Sequence, residues 1–224
     1  LNNNEIVDIN LLSFFSNNKE FKLNLKTLEN GEKITNLTTE YPKPLIERYK
    51  FIKGFEEGTL DFKSIYKNKI SNNVLIIDNF KVKEVPVFAK LLTLASLQGI
   101  ADLLTGEGIR FTDFEMKYNV EKNLTKIDEL YAIGPAVSIM MDGYIEKDKL
   151  VSLRGTLVPV TTVNRTISSI PLLGDILVGK KVGEGVFGVS FKIKGPPKNL
   201  KTSVNPIKTL TPRFITRTLE KIKN

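Results

Sequence analysis

Apolar and polar residues alternate along most of this chain, which is the period of a strand with one face toward a core and the other toward water. In EFKLNLKT, Phe21, Leu23 and Leu25 share a face, and in TLDFKSIY, Leu60, Phe62 and Tyr66 do. The rhythm returns in NVLIIDNFKV, where Val74, Ile76, Phe80 and Val82 point one way, and in FEMKYNV, where Phe114, Met116, Tyr118 and Val120 do. It continues with Val137, Ile139, Met141 and Ile145 in VSIMMDGYI, and with Val151, Leu153 and Leu157 in VSLRGTLV. Turn formers between such runs, Glu29-Asn30-Gly31 and Glu146-Lys147-Asp148, predict antiparallel meander connections. The pattern therefore predicts a mainly β chain with a few helices (α+β), its antiparallel sheet greasy on one face and polar on the other.

Four segments break the rhythm. PKPLIERYKFI, around Pro44 to Ile52, reads as a short helix begun by proline. PVFAKLLTLASLQGIADLLTGEG, Pro86 to Gly108, reads as a longer one, with Pro86 near its start and Gly106 at its end. Its polar residues Lys90, Thr93, Ser96, Gln98 and Asp102 scatter around the helical wheel, so apolar surface faces nearly every direction and must be covered on several sides. Lys90, Gln98, Asp102 and a central Gly99 argue against a membrane span and for a core helix plugging the sheet. In the third segment, VNRTISSIPLLGDILVGKK, Pro171 and Gly174 cut the apolar run short. The last, TPRFITRTLEKIK, places Arg213, Arg217 and Lys221 at i, i+4 and i+8 beside Phe214, Ile215, Leu219 and Ile222, with Pro212 in the first turn. That pattern suits a helix lying on an anionic membrane, and somewhat better a solvated helix docked on its own sheet.

GEGVFGVSF, Gly183 to Phe191, has the spacing G-x-G-x-x-G of phosphate-cradling loops. A dinucleotide site needs a helix after the glycines. Here Phe187, Val189, Phe191 and Ile193 alternate with Gly188, Ser190, Lys192 and Lys194 up to Gly195-Pro196-Pro197, so the glycines predict a turn feeding a strand.

With 224 residues the chain is long enough for a substantial core in one large or two small domains. It has no histidine and no cysteine, which removes the usual general base, imidazole and thiolate metal ligands, and any cysteine nucleophile. No S-x-x-K joined to supporting motifs, and no H-E-x-x-H, stands in for them. The net charge of +8 favours anionic partners. Tryptophan is absent and many phenylalanines fall on apolar faces, so the exposed aromatics that stack bases are missing and no nucleic-acid partner is expected. LNNNEIVDIN has neither the basic nor the apolar region of a leader, and any targeting segment or anchor is expected upstream.

The segments PVFAKLLTLASLQGIADLLTGEGIRF, GPAVSIMMDGYIEKDKLVSLRGTLVPV and IPLLGDILVGKKVGEGVFGVSFKIKGPPKNLKTSVNPIKTLTPRF, in that order, closely resemble the C-terminal region of AsmA-like bacterial envelope proteins of the YhdP type. The likeness covers about Pro86 to Arg217, and a looser one reaches back through KPLIERYKFIKGFEEGTLDF. Asn164-Arg165-Thr166 departs from it, standing where the family often has a more apolar stretch. The resemblance implies a piece of a long periplasmic protein anchored in the inner membrane by an upstream segment. Residues 1–85 then form a β-rich groove segment with the short helix near 44–52, and residues 86–224 the AsmA-like C-terminal region. It further implies an elongated, twisted antiparallel sheet curling into an apolar groove, with helices at the C-terminal end. The implied function is phospholipid transport between inner and outer membranes, without catalysis, cofactor or metal.

Phospholipid, the two membrane surfaces and an envelope protein at the C-terminal end are the expected partners. On this reading lipid contacts are expected from Phe88, Leu91, Leu92 and Leu104 of the long helix and from Val137, Ile139, Met141 and Leu153 of the strands. Leu172 and Leu173 of IPLLGDIL, and Phe187, Val189 and Phe191 of GEGVFGVSF, complete that set, and Arg213, Arg217 and Lys221 are expected at the membrane surface. A non-catalytic envelope scaffold that docks a membrane or a protein is the alternative.

Overall fold

The computed structural model describes residues 7–48, 53–159 and 188–207. Three strands open the fold, β1 (Asp8–Phe14), β2 (Glu20–Thr27) and β3 (Lys33–Thr39), followed by the short helix α1 (Lys43–Ile46). Two long strands, β4 (Lys53–Lys67) and β5 (Ile70–Lys83), lead to the helices α2 (Pro86–Leu94) and α3 (Gln98–Thr105). Then come β6 (Ile109–Glu121), β7 (Leu124–Ile133), β8 (Val137–Glu146), β9 (Leu150–Pro159), β10 (Gly188–Gly195) and β11 (Lys201–Ile207).

Among the described residues all eleven strands belong to one open antiparallel sheet whose spatial order is the sequence order. The β4–β5 hairpin closes on Asn68 and Lys69, both with positive φ, as a two-residue turn matched to the strand twist requires. The β6–β7 hairpin closes on Lys122 and Asn123, and Asp148 takes a positive φ in the predicted Glu146-Lys147-Asp148 turn. Nothing interrupts the sheet at residue 85, since β5 and β6 pair along almost their full length.

The sheet bends. Helix α2 starts three residues after β5 and is about 14 Å long at 1.5 Å per residue. In a flat sheet β11 would lie about 29 Å from β5, at about 4.8 Å per strand. Yet α2 packs against β11, so the strands from β6 to β11 wrap toward the helices. Leu91 and Leu92 of α2 and Ala101 and Leu104 of α3 share one buried cluster with Phe55, Phe80, Ile109, Phe111, Val137, Leu157 and Phe191.

The predicted single helix from Pro86 is in fact two. Pro86 does occupy the first turn and Gly106 the C-cap of the second helix, but Ser96 adopts φ 59° between them. The Leu97 N–H then donates to the Leu92 carbonyl at 2.8 Å and the Ser96 N–H to that of Thr93 at 3.0 Å, the paired bonds of a Schellman stop. Glycine usually fills that left-handed position, and its absence hid the break. The short helix expected over 44–52 runs only from Lys43 to Ile46 among the described residues.

One face assignment also changes. Before Asn79, Leu75 and Ile77 of β5 point into the apolar face and Val74 and Ile76 lie on the other; after it, Phe80 and Val82 are buried. Asn79 (φ 52°), with Glu57 (φ 64°) and Gly58 (φ 85°) across from it on β4, resets the alternation. The reset stacks Phe80 on Phe55 at 5.4 Å and on Phe111 at 5.5 Å, with Phe114 edge-on at 6.1 Å. Arg110 ties the irregular turn down from outside by a two-pronged contact to the Glu57 carboxylate at 2.8 and 3.0 Å, which holds that carboxyl below its ordinary range.

The helices α2 and α3 sit mid-chain, between β5 and β6; the helix expected near the C-terminus lies outside the described residues.

Candidate functional site

Register, which periodicity alone cannot supply, aligns apolar residues from strand to strand. Leu11 pairs with Leu23, Leu23 with Leu37, Leu37 with Phe62, Phe62 with Leu75 and Leu75 with Met116. From Met116 the row continues through Leu130, Met141 and Gly155 to Phe191 and Val204. Every strand contributes one residue, and no polar side chain interrupts the row. Ten strand spacings make it about 48 Å long when laid flat. That is about three times the hydrocarbon depth of one bilayer leaflet.

The row is not sealed. Leu130 and Phe191 are buried, Leu11 is 46% exposed at the β1 edge, and Leu23, Leu37, Phe62, Leu75, Met116, Met141 and Val204 are all half-buried. Its two borders differ. Toward the helices runs a second apolar row that includes Leu60, Ile77, Phe114, Ala132, Ile139 and Leu157. Away from them, over β3 to β6, lie Thr35, Ser64, Asn73 and Tyr118 in register. Asn73 is buried and donates to the Ser71 hydroxyl at 3.0 Å and to the Tyr118 carbonyl at 3.3 Å, so this polar border is internally bonded. The opposite face of the sheet carries Lys22, Asn24, Asn36, Lys63, Lys117 and Arg154, with surface pairs such as Lys117–Glu115 at 2.7 Å and Arg154–Asp142 at 2.9 Å.

At Gly155 the row narrows. A Cβ there would stand 2.3 Å from the Met140 carbonyl oxygen, 2.6 Å from the Phe191 ring and 2.7 Å from Met141 Cβ, so the ring of Phe191 fills the space a side chain would take. Gly155→Ala is expected to cost about 1–3 kcal/mol by overpacking. Gly99→Ala, with nothing within 4 Å in α3, is expected to stabilise by up to about 1 kcal/mol through helix propensity. Urea melts of the two variants check both; a Gly155→Ala protein as stable as Gly99→Ala would mean the ring does not lie there.

The expected lipid-contact residues part into three groups. Met141, Ile139 and Leu153 are half-buried on the apolar face, Val189 lies on that face in register with Leu157, and Phe88 is half-buried on α2. Leu91, Leu92, Leu104, Val137 and Phe191 are instead buried in the helix–sheet core, and Leu92, Leu104 and Val137 have no exposed surface left to offer a ligand. Leu172, Leu173 and Phe187 lie outside the described residues, as do the expected membrane-surface residues Arg213, Arg217 and Lys221. The row also includes residues not singled out from sequence: Leu11, Leu37, Leu75, Leu130, Gly155 and Val204. Leu130 escaped notice because β7 bulges between Ile127 and Leu130, putting two consecutive inward residues three positions apart.

After the glycines of GEGVFGVSF comes strand β10, in place of the helix that a phosphate loop requires. Among the described residues no helix is long and apolar enough to cross a membrane, and no group of acidic residues is arranged to hold a metal ion. No protein-family model, curated protein or solved structure matches the chain.

Proposed function

We propose that this chain is part of an AsmA-like envelope protein and that its sheet carries phospholipid between the inner and outer membranes of a bacterium, acyl chains lying along the apolar row and head groups facing water. The observation that carries the reading is the eleven-strand row itself: continuous, apolar, and half-open over most of its length. An ordinary sandwich core would cover such a face from end to end, whereas here α2 and α3 cover one side of it. Each methylene taken from water contributes about 0.8 kcal/mol, so ten sheltered methylenes contribute about 8 kcal/mol with no catalytic group required. The polar border of Thr35, Ser64, Asn73 and Tyr118 suits the ester and phosphate end of the same molecule. The periplasm is the compartment this reading assigns.

Purification without detergent followed by lipid mass spectrometry tests it. Co-purified phospholipid and saturable uptake of a fluorescent phospholipid are the expected results. Repeated recovery of lipid-free protein that takes up no probe would remove the proposal and favour a scaffold.

A further inference from the structure

The polar face of the sheet changes character at its C-terminal end. Strands β1 to β7 mix signs there, as in Lys22–Glu20 and Lys126–Asp128. Strands β9, β10 and β11 and the β10–β11 hairpin contain no aspartate or glutamate at all. Their outward charged residues are Arg154, Lys192, Lys194 and Lys201, exposed and set among Ser152, Thr156, Ser190, Ser203 and Asn205, with Lys198 in the hairpin turn and with Leu150 and the buried Val158 at the two ends of β9. Two cation pairs stand directly opposite each other, Arg154 with Lys192 and Lys194 with Lys201. Like charges in that relation are destabilising in a sheet, and neighbouring strands sit well inside a Debye length, so water and salt only partly relieve them. The carboxylate of Asp142 on β8 bonds Arg154, and among the described residues none pairs with Lys192, Lys194 or Lys201.

We propose that this outward face of β9–β11 docks on an anionic phospholipid bilayer. The complement such a face lacks is a broad negative surface, and lysines beside a membrane supply attraction without fixed geometry. The neutral hydroxyl and amide side chains between them let head groups approach. Exposed Tyr144 on β8, in register with Lys126 of β7, gives the margin the amphipathic side chains that settle at head-group level, and Leu124 adds an exposed apolar residue beside them. A single-stranded nucleic acid would need aromatic stacking platforms, and the outward positions of β9–β11 carry none. The same three strands bear, on their other side, the last residues of the apolar row; docking thus brings that end of the row to a membrane, a consequence that rests on the transport reading while the docking itself does not.

The test is flotation of the full chain with vesicles of phosphatidylcholine alone or mixed with phosphatidylglycerol. Binding is expected only to the mixed vesicles and is expected to fall with added salt. Replacing Lys192, Lys194 and Lys201 together by glutamine should weaken it about fivefold per lysine, on the order of 100-fold in all. The matched variant Lys22→Gln, Lys26→Gln, Lys63→Gln, on the polar face of β2 and β4, should bind like the parent. Circular dichroism checks that both remain folded. Binding that ignores vesicle charge, equal loss in the two variants, no binding by the parent chain, or a dependence on the three lysines seen only with duplex DNA each overturns the proposal. Uptake of fluorescent phospholipid read in the same variants separates the two ideas, because it should survive the β10–β11 substitutions.

Discussion

A carboxylate at Met116 is expected to abolish phospholipid uptake while leaving the sheet folded. Met116 sits at the middle of the apolar row, flanked in register by Leu75 and Leu130, and is only half-buried. In the empty protein an aspartate there keeps part of its hydration, so the expected cost in stability is about 1–2 kcal/mol. Once an acyl chain covers the position, that carboxylate is desolvated with no cation among its same-face neighbours Leu75, Leu130, Phe114 and Tyr118, a penalty of several kcal/mol. Uptake of a fluorescent phospholipid should therefore drop by at least about tenfold. Asn36→Asp places the same charge on the polar face and should leave uptake unchanged. If Met116→Asp takes up lipid as well as the parent chain does, the row is not the lipid path.

The largest stability effect is expected from Leu92→Ala. Leu92 is fully buried in the cluster that joins α2 and α3 to the sheet, and truncation leaves a cavity the surrounding strands cannot fill without distortion. A loss of about 3–4 kcal/mol follows from the removed transfer free energy and the residual void. Leu94, on the same helix but 45% exposed, should lose no more than about 0.5 kcal/mol on the same change. Urea unfolding with unchanged m-values compares the two. Equal losses would mean that α2 does not pack on the sheet through Leu92. Because the two helices frame one side of the row, this variant should also blunt lipid uptake, whereas Leu94→Ala should not.

Much of the architecture is local and so legible in the residues. EFKLNLKT coincides with β2, and the runs around Phe62, Met116, Ile139 and Leu153 all lie in strands with the expected residues on one face. The four strands that escaped have local reasons. β1 is an edge strand with apolar residues on both faces, Leu11 and Leu12 among them. In β3, KITNLTT, Ile34 and Leu37 fall on opposite faces, and β7 carries a bulge between Ile127 and Leu130. β11 is mostly polar and contains Pro206, which only an edge strand tolerates. The polar Ser96 at a left-handed helix stop and the phase reset at Asn79 belong with these, since each replaces the glycine that would have announced it.

Alternation with a period of two, short turns, and the absence of histidine and cysteine determined by themselves that this protein is a largely antiparallel sheet with one greasy face and without the commonest catalytic groups. Which greasy residues stay open was decided by tertiary structure alone. Register across ten strand pairs aligned Leu11 through Val204, and curvature packed Leu92 of α2 and Leu104 of α3 into one cluster with Val137 while leaving Leu37, Phe62 and Met116 half-uncovered. The physical reason is range: a side chain's face follows from its immediate neighbours, but its burial depends on strands and helices far away in the chain.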